Sequence, residues 1–294
     1  MNVEYFISKR IVNAKENKNV FSRPIISLTI FAISLSVAIM IISLSILDGF
    51  QSEITNKVID FGSHIQISNY EKESHKEQVP LELTKSFLNS LDNNSEIQDI
   101  SKVIYDFGLI KTDDDFMGIN LKGVHENYNF SIFSDRIVEG EALNSDSSIF
   151  ISENISNKLK LKVSDKIRVY FPSLNSAKTN VNVRPFYVCG IFNTKMKELD
   201  ENLSFVSLSN LQKLKGWKEN EVSLIEIKVS DFENINQVRN NIEVSVEDYY
   251  NKNIVSIIDL YPQIFDWLQL QDINVTVIIV LMLVVALVNV IISL

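Results

Sequence analysis

The stretch DGFQSEITNKVIDFGSHIQIS, residues 48–68, follows directly on a run without charge and carries two rhythms in succession. Phe50, Ile54, Val58 and Phe61 fall at intervals of four, four and three, the spacing of one apolar stripe on a helix, with Gln51, Glu53, Asn56, Lys57 and Asp60 elsewhere. Gly62 stands where glycine commonly closes a helix. From His64 to Ser68 the apolar residues alternate, the pattern of a strand with one face on a core. The spacing therefore predicts a helix that continues outward from the apolar run as an amphipathic stalk, stops at Gly62 and hands over to a strand.

The run behind it, Ile25 to Leu47, contains no Asp, Glu, Lys, Arg or His, and as a helix it would be roughly 35 Å long, enough to cross a bilayer. Ile273 to Leu294 is a second uncharged block of the same kind. A cleaved signal peptide does not fit the first block, which is too long and has no small-x-small cleavage site after Leu47. The chain stops at Ile-Ile-Ser-Leu with no aromatic or basic anchor beyond it, so the sequence reads as a fragment of a longer membrane protein. Ala32, Ser36 and Ser43 lie near one face of the first block, and Ala286, Asn289 and Ser293 near one face of the second, as candidate packing positions. Asn289 is the stronger of these, because a carboxamide facing lipid is costly.

Residues 1–47 hold five basic and two acidic side chains, a net +3, which by the positive-inside bias puts the N-terminus in the cytoplasm. With a net charge of −9 on all 294 residues and none on 273–294, residues 48–272 carry −12 and lie outside the membrane. That balance speaks against nucleic acid as a partner. The single Cys189 excludes an intrachain disulfide, and its neighbours Tyr187, Val188 and Ile191 place it as a buried strand thiol.

Within the outer region the patterns predict strands at Ile97–Lys111, Phe116–Val124, Ser148–Ser152, Lys166–Phe171, Val181–Phe192, Leu203–Ser207, Val222–Val229 and Ile254–Leu260. Helices are expected at Leu81–Leu91, Glu153–Leu161, Asn210–Lys215 with Ser209 as its cap, and Asp231–Asp248. Strands with segregated helices define an α+β domain of one or two lobes. Pro262 can open a helix whose apolar face, Ile264, Phe265, Trp267, Leu268 and Leu270, leads back to the second block, with Tyr261 and Trp267 suited to the water–lipid interface. The resulting division is 1–24 cytoplasmic, 25–47 first span, 48–62 stalk, 63–260 outer α+β domain, 261–272 pre-membrane stalk and 273–294 second span.

The sequence offers no catalytic constellation. His64, His75 and His125 lack metal-ligand spacing, and Asp113-Asp114-Asp115 lacks the alternating acids, Gly and distal Glu of a calcium loop. There is no Gly-x-Ser-x-Gly and no Gly-x-x-x-x-Gly-Lys, so ATP, if used, would be handled by another chain.

Taken together, the segments YFISKRI (5–11), LDGFQSEITNKVIDFGSHIQI (47–67), LKGV (121–124), RIVEGEAL (136–143), IFISENISNKLKLKVSDKIRVYFP (149–172), FYVCGIF (186–192), SNLQKLKG (209–216), IEIKVSDFENI (225–235) and QIFDWLQLQDINVTVIIVLMLVVALVN (263–289) carry a likeness in their order and spacing. The chain resembles the lipoprotein-releasing permeases, of LolC/LolE type, in the MacB/FtsX-like superfamily of bacterial ABC transporters. The resemblance implies a four-span inner-membrane subunit with its large domain in the periplasm between spans one and two, paired with an identical or paralogous second permease subunit. It implies a cytoplasmic ABC ATPase that binds ATP, so that this chain binds no cofactor and is no enzyme itself. Further implied partners are lipoprotein substrates, membrane lipids and a soluble periplasmic carrier, with motion passed from the ATPase through the stalk. Members of LolC type hold the carrier with a hairpin; the corresponding segment is FPSLNSAKTNVNVRPF, with Phe171, Pro172, Leu174, Arg184 and Pro185 as candidate contacts. Ser164-Asp165-Lys166 departs from the family, where Gly-Asp-Lys is usual. A MacB-like exporter, an FtsX-like regulator of cell-wall hydrolases and a two-span receptor are the alternatives the residues leave open.

Overall fold

The computed structural model describes residue 6 and residues 22–61, 63–70, 78–92, 94–112, 115–172, 181–246 and 249–293. It divides into two units, a helical one up to Val58 and from Tyr261 onward, and a sheet-based one over Ile59–Leu260.

The helical unit rests on α1 (Ser22–Phe61), one unbroken helix that joins the first apolar run to the stalk. The returning helix, Pro262–Ser293, is likewise continuous from the stalk into the second apolar block. Both are long and apolar enough to cross a membrane, with mean hydropathies of 2.7 and 2.4 and no burial of the apolar windows. Gly62, the expected stop, lies outside the described residues.

The sheet unit opens with β1 (Ile65–Asn69), one residue later than the alternation implied, followed by β2 (Leu81–Glu82) and α2 (Lys85–Asp92). The helix expected from Leu81 therefore starts later, for two reasons. Leu81 and Glu82 pair with Val222 and Glu221, and the Thr84 hydroxyl accepts the Phe87 amide, which sets the helix start at Thr84.

Next come β3 (Ile97–Lys111), β4 (Phe116–Val124), a 3-10 turn (Phe130–Phe133), β5 (Ile137–Gly140) and β6 (Ser148–Ser152). They are followed by α3 (Glu153–Leu159), β7 (Lys166–Phe171), β8 (Asn182–Phe192), α4 (Lys197–Asp200) and β9 (Leu203–Ser207). Then come α5 (Leu208–Lys215), β10 (Glu221–Val222), β11 (Leu224–Val229), α6 (Ile235–Ser245), β12 (Lys252–Ser256), α7 (Ile257–Leu260) and the returning helix α8.

Strands β3, β4, β9, β6, β8 and β7 pair in turn, and β7 pairs back to β3, so these strands close into a ring. Closure depends on Gly108. A side chain there would meet Val169 Cγ1 at 2.5 Å, beside the short β3–β7 pairing of Leu109 with Tyr170 and Ile110 with Val169. The first half of β3 instead pairs with β11, which continues through β1 to β12 as an open wing. The long β3 thus belongs to both parts, and the α+β reading holds.

Several expected elements have other bounds: the helix expected at Asp231–Asp248 is Ile235–Ser245 behind a 3-10 turn at Phe232–Asn234, and the one expected to Leu161 ends at Leu159. The helix after Ser207 begins at Leu208, because the Ser209 hydroxyl donates to Asp146 instead of capping. The strand expected at Val222–Val229 breaks at Ser223, whose hydroxyl accepts the Tyr105 amide. The strand expected at Ile254–Leu260 stops at Ser256: its amide and hydroxyl both bond Asp259 Oδ2, the hydroxyl accepts the Asp259 amide, and this capping pair turns Ile257–Leu260 into a helical turn.

On the ring, Phe130 and Phe133 pack on Phe150, Phe192 and Phe205 with ring centroids 4.8 to 6.2 Å apart. Cys189 joins this cluster; it is buried, and its Sγ donates to Ile149 O at 3.3 Å. Burial pushes its thiol up to about 11, so it is an inert core residue.

Candidate functional site

Helices α1 and α8 together carry the stalk. Partly buried positions recur along α1 at Ala32, Ser36, Met40, Ser43, Leu47, Gln51 and Ile54, reaching buried Val58. On α8 they follow buried Leu268 at Gln271, Val275, Ile279, Met282 and Ala286. Steps of three and four are the seam spacing of paired helices. Ala32, Ser36 and Ser43 are partly buried along one side of α1. The Ser36 hydroxyl donates to Ala32 O at 2.8 Å, so its polarity is satisfied within its own helix. The backbone of Asn289 is helical, while its side chain lies outside the description.

In the stalk proper, Ile54 is half-buried and Val58 buried, whereas Phe50 stands 42% exposed beside the seam. The seam position is taken by Gln51, which no apolar pattern singles out. Its Nε2 donates to Leu268 O at 3.2 Å and to Asp272 Oδ1 at 2.9 Å. A polar side chain is tolerated there because the amide finds two acceptors on the other helix. Phe50 meets Trp267 edge to face, centroids 5.6 Å apart. The stalk residue Phe61 ends α1, and its side chain, like Gly62, lies outside the description.

The second candidate is the hairpin. Strands β7 and β8 pair antiparallel from Lys166 with Tyr187 to Phe171 with Asn182, so Phe171 stands at the loop end of the pair while Phe186, opposite Ile167, lies within β8. Phe171 is buried at 5% and serves as a core anchor, which removes it as a surface contact. Pro172, Arg184 and Pro185 are exposed, as are Val181 and Val183. Leu174, with residues 173–180, lies outside the described residues.

A third constellation had no sequence signal. Lys122 and Glu226, 1% and 5% exposed, form an ion pair at 2.8 Å, Tyr105 Oη donates to Glu226 Oε1 at 2.9 Å, and Lys122 Nζ donates to Tyr128 Oη at 3.2 Å. Burial opposes the ammonium charge, but the Glu226 carboxylate and the two tyrosines outweigh it and hold Lys122 protonated well above the ordinary lysine range. Burial, then the Glu226 charge, pushes the Tyr105 phenol far up. The group joins β3, β4 and the turn after β4 to β11, that is, the ring to the wing. Among the described residues no group of three or more His, Cys, Asp or Glu could hold a metal ion.

Two apolar helices running continuously into stalks, with an α+β domain of ring and wing inserted between them, define a membrane-anchored protein with one large extramembrane domain. Residues 26–244 match the MacB-like periplasmic core domain family, and the chain belongs to that family. It is 27% identical over 218 residues to the lipoprotein-releasing system transmembrane protein LolC of Buchnera aphidicola subsp. Schizaphis graminum, covering 72% of this chain and 52% of that one. It is 22% identical over 237 residues to LolE of Haemophilus influenzae, covering 79% of this chain and 56% of that one. The chain therefore spans about half the length of these relatives. Among solved structures, the periplasmic region of MacB from Actinobacillus actinomycetemcomitans superposes with a TM-score of 0.46 and 17% identity, over 72% of this chain and 97% of that one.

Proposed function

We propose that this chain is part of a permease subunit of an ABC transporter that releases lipoproteins from the inner membrane to a soluble periplasmic carrier. The observation that carries the reading is the likeness to LolC and LolE proteins over 72–79% of this chain. Continuity of α1 and α8 from span to stalk supports a mechanical role, since an unbroken helix carries displacement along its axis. On this reading the N-terminus is cytoplasmic and the domain periplasmic, in keeping with the +3 charge of residues 1–47. ATP is bound and hydrolysed by a separate cytoplasmic ATPase, and this chain binds no cofactor and catalyses no reaction. A second permease subunit, identical or paralogous, completes the membrane part, and lipoproteins and lipids meet it there. The carrier docks at the β7–β8 hairpin, whose exposed Pro172, Val181, Val183, Arg184 and Pro185 supply apolar and basic contacts.

Depletion of the protein followed by lipoprotein fractionation tests the reading. Lipoproteins are expected to accumulate in the inner membrane, and delivery to the outer membrane at the normal rate would overturn it. Deleting Leu174–Val181 tests the docking site, and intact carrier binding by that variant would remove the hairpin from the mechanism.

A further inference from the structure

We propose that Gln51 is the pin that fastens α1 to α8 at the membrane exit, so that the two spans of one chain move as a pair. Gln51 lies four residues beyond the last residue of the first apolar run, and Asp272 immediately precedes the second. The 2.9 Å bond between Gln51 Nε2 and Asp272 Oδ1 therefore brings both membrane exits to one level. The second acceptor, Leu268 O, lies one turn away on α8 and is a main-chain atom, so the amide reads the rotation of that helix as well as its height.

Phe50 and Trp267 add an edge-to-face contact beside the pin. Below it the seam is apolar or small from Leu47 to Ala32 and from Val275 to Ala286, and such surfaces slide and rotate against one another at little cost. A directional bond fixes register where shape alone does not. The bond to Leu268 O is partly buried, so water competes for it less than for the exposed bond to Asp272.

Two consequences separate a pin from a chance contact. Gln51 is needed as a donor, because both of its partners are acceptors. Gln51→Glu therefore sets a carboxylate against a carboxylate and a carbonyl and should drive the helices apart. Asp272→Asn added to Gln51→Glu supplies a donor amide on the opposite side and should restore the bond with its direction reversed. The consequence for transport rests on the release reading above, but the pairing of the helices does not.

The experiment measures the pairing itself. Cysteines at Ser52 and Gln269, both exposed, carry spin labels on the full chain in nanodiscs, where buried Cys189 stays unlabelled. Wild-type distances should be narrowly distributed. Gln51→Glu should lower the ratio of paired to splayed helices by roughly tenfold, and Gln51→Glu with Asp272→Asn should recover most of it. A narrow distribution in Gln51→Glu, or failure of the double variant to recover, overturns the pin. Because no ATPase, carrier or lipoprotein is present, neither result depends on whether the protein releases lipoproteins.

Discussion

Lys122 Nζ lies 2.8 Å from Glu226 Oε2, both side chains almost fully shielded from water, and the pair bridges the strand ring to the open wing. Removing one charge strands the other without a partner. Lys122→Met should cost about 3–5 kcal/mol, while Lys122→Met with Glu226→Gln, which removes the charge and leaves Tyr105 an acceptor, should recover most of the loss. Denaturant unfolding of the three proteins checks this, and equal stability of the single and double variants would contradict it.

Ser164 holds φ at +75°, in the left-handed region that favours glycine, and its amide donates to Val188 O. A side chain in the left-handed region costs about 1 kcal/mol or more, part of which is offset by the greater freedom of an unfolded glycine. Ser164→Gly should therefore raise stability by about 0.5 to 1 kcal/mol and lift the melting temperature.

His64 is buried, accepts the Val229 amide at Nδ1 and stacks edge to face on Phe232. Burial first, and Lys228 second, lower its pKa from 6.5 to about 4. The folded state thus holds His64 neutral where the unfolded chain takes up a proton. Its contribution to stability is complete above pH 6.5 and is lost as the pH falls toward about 4, by an amount on the order of 2 kcal/mol. His64→Asn keeps an acceptor for Val229 and should flatten that slope in unfolding curves taken between pH 7 and pH 4.

Cys189, with its thiol raised to about 11, should resist alkylation at pH 8 in the folded protein and react once denaturant exposes it. Mass spectrometry after iodoacetamide treatment distinguishes the two states, and rapid native labelling would contradict the buried placement.

Ile54 sits in the middle of the stalk part of an unbroken α1. Proline there removes a helix hydrogen bond and clashes with the preceding turn, at a cost of about 3 kcal/mol or more. On the release reading, Ile54→Pro should leave membrane insertion intact and uncouple ATP turnover from lipoprotein release in a reconstituted system. Unchanged release would argue against the continuous helix as the route of motion.

Legibility in the sequence followed the range of the interaction. Strand Lys166–Phe171 alternates because one face lies on a core, Ile97–Lys111 and Phe116–Val124 alternate over part of their length, and Ser148–Ser152 and Leu203–Ser207, buried through their middles, show instead as short apolar runs. Ile254–Leu260 misled, since the Ser256–Asp259 cap outweighed an apolar run that suits either state. The short β5 carries too few residues for a period to register, and Gln51 looks like any polar residue on the water side of a stalk.

By itself the sequence determined the two spans, the continuity of the stalk and the α+β class, all of which rest on local periodicity and on the absence of charge over a membrane's width. The tertiary structure alone decided what depends on residues far apart in the chain. Gly108 admits Val169 so that the ring can close, Lys122 finds Glu226 across the wing, and Gln51 finds Asp272 on the returning helix. A buried charge or a polar seam residue is stable only beside its partner, and a linear pattern cannot name a partner more than a hundred residues away.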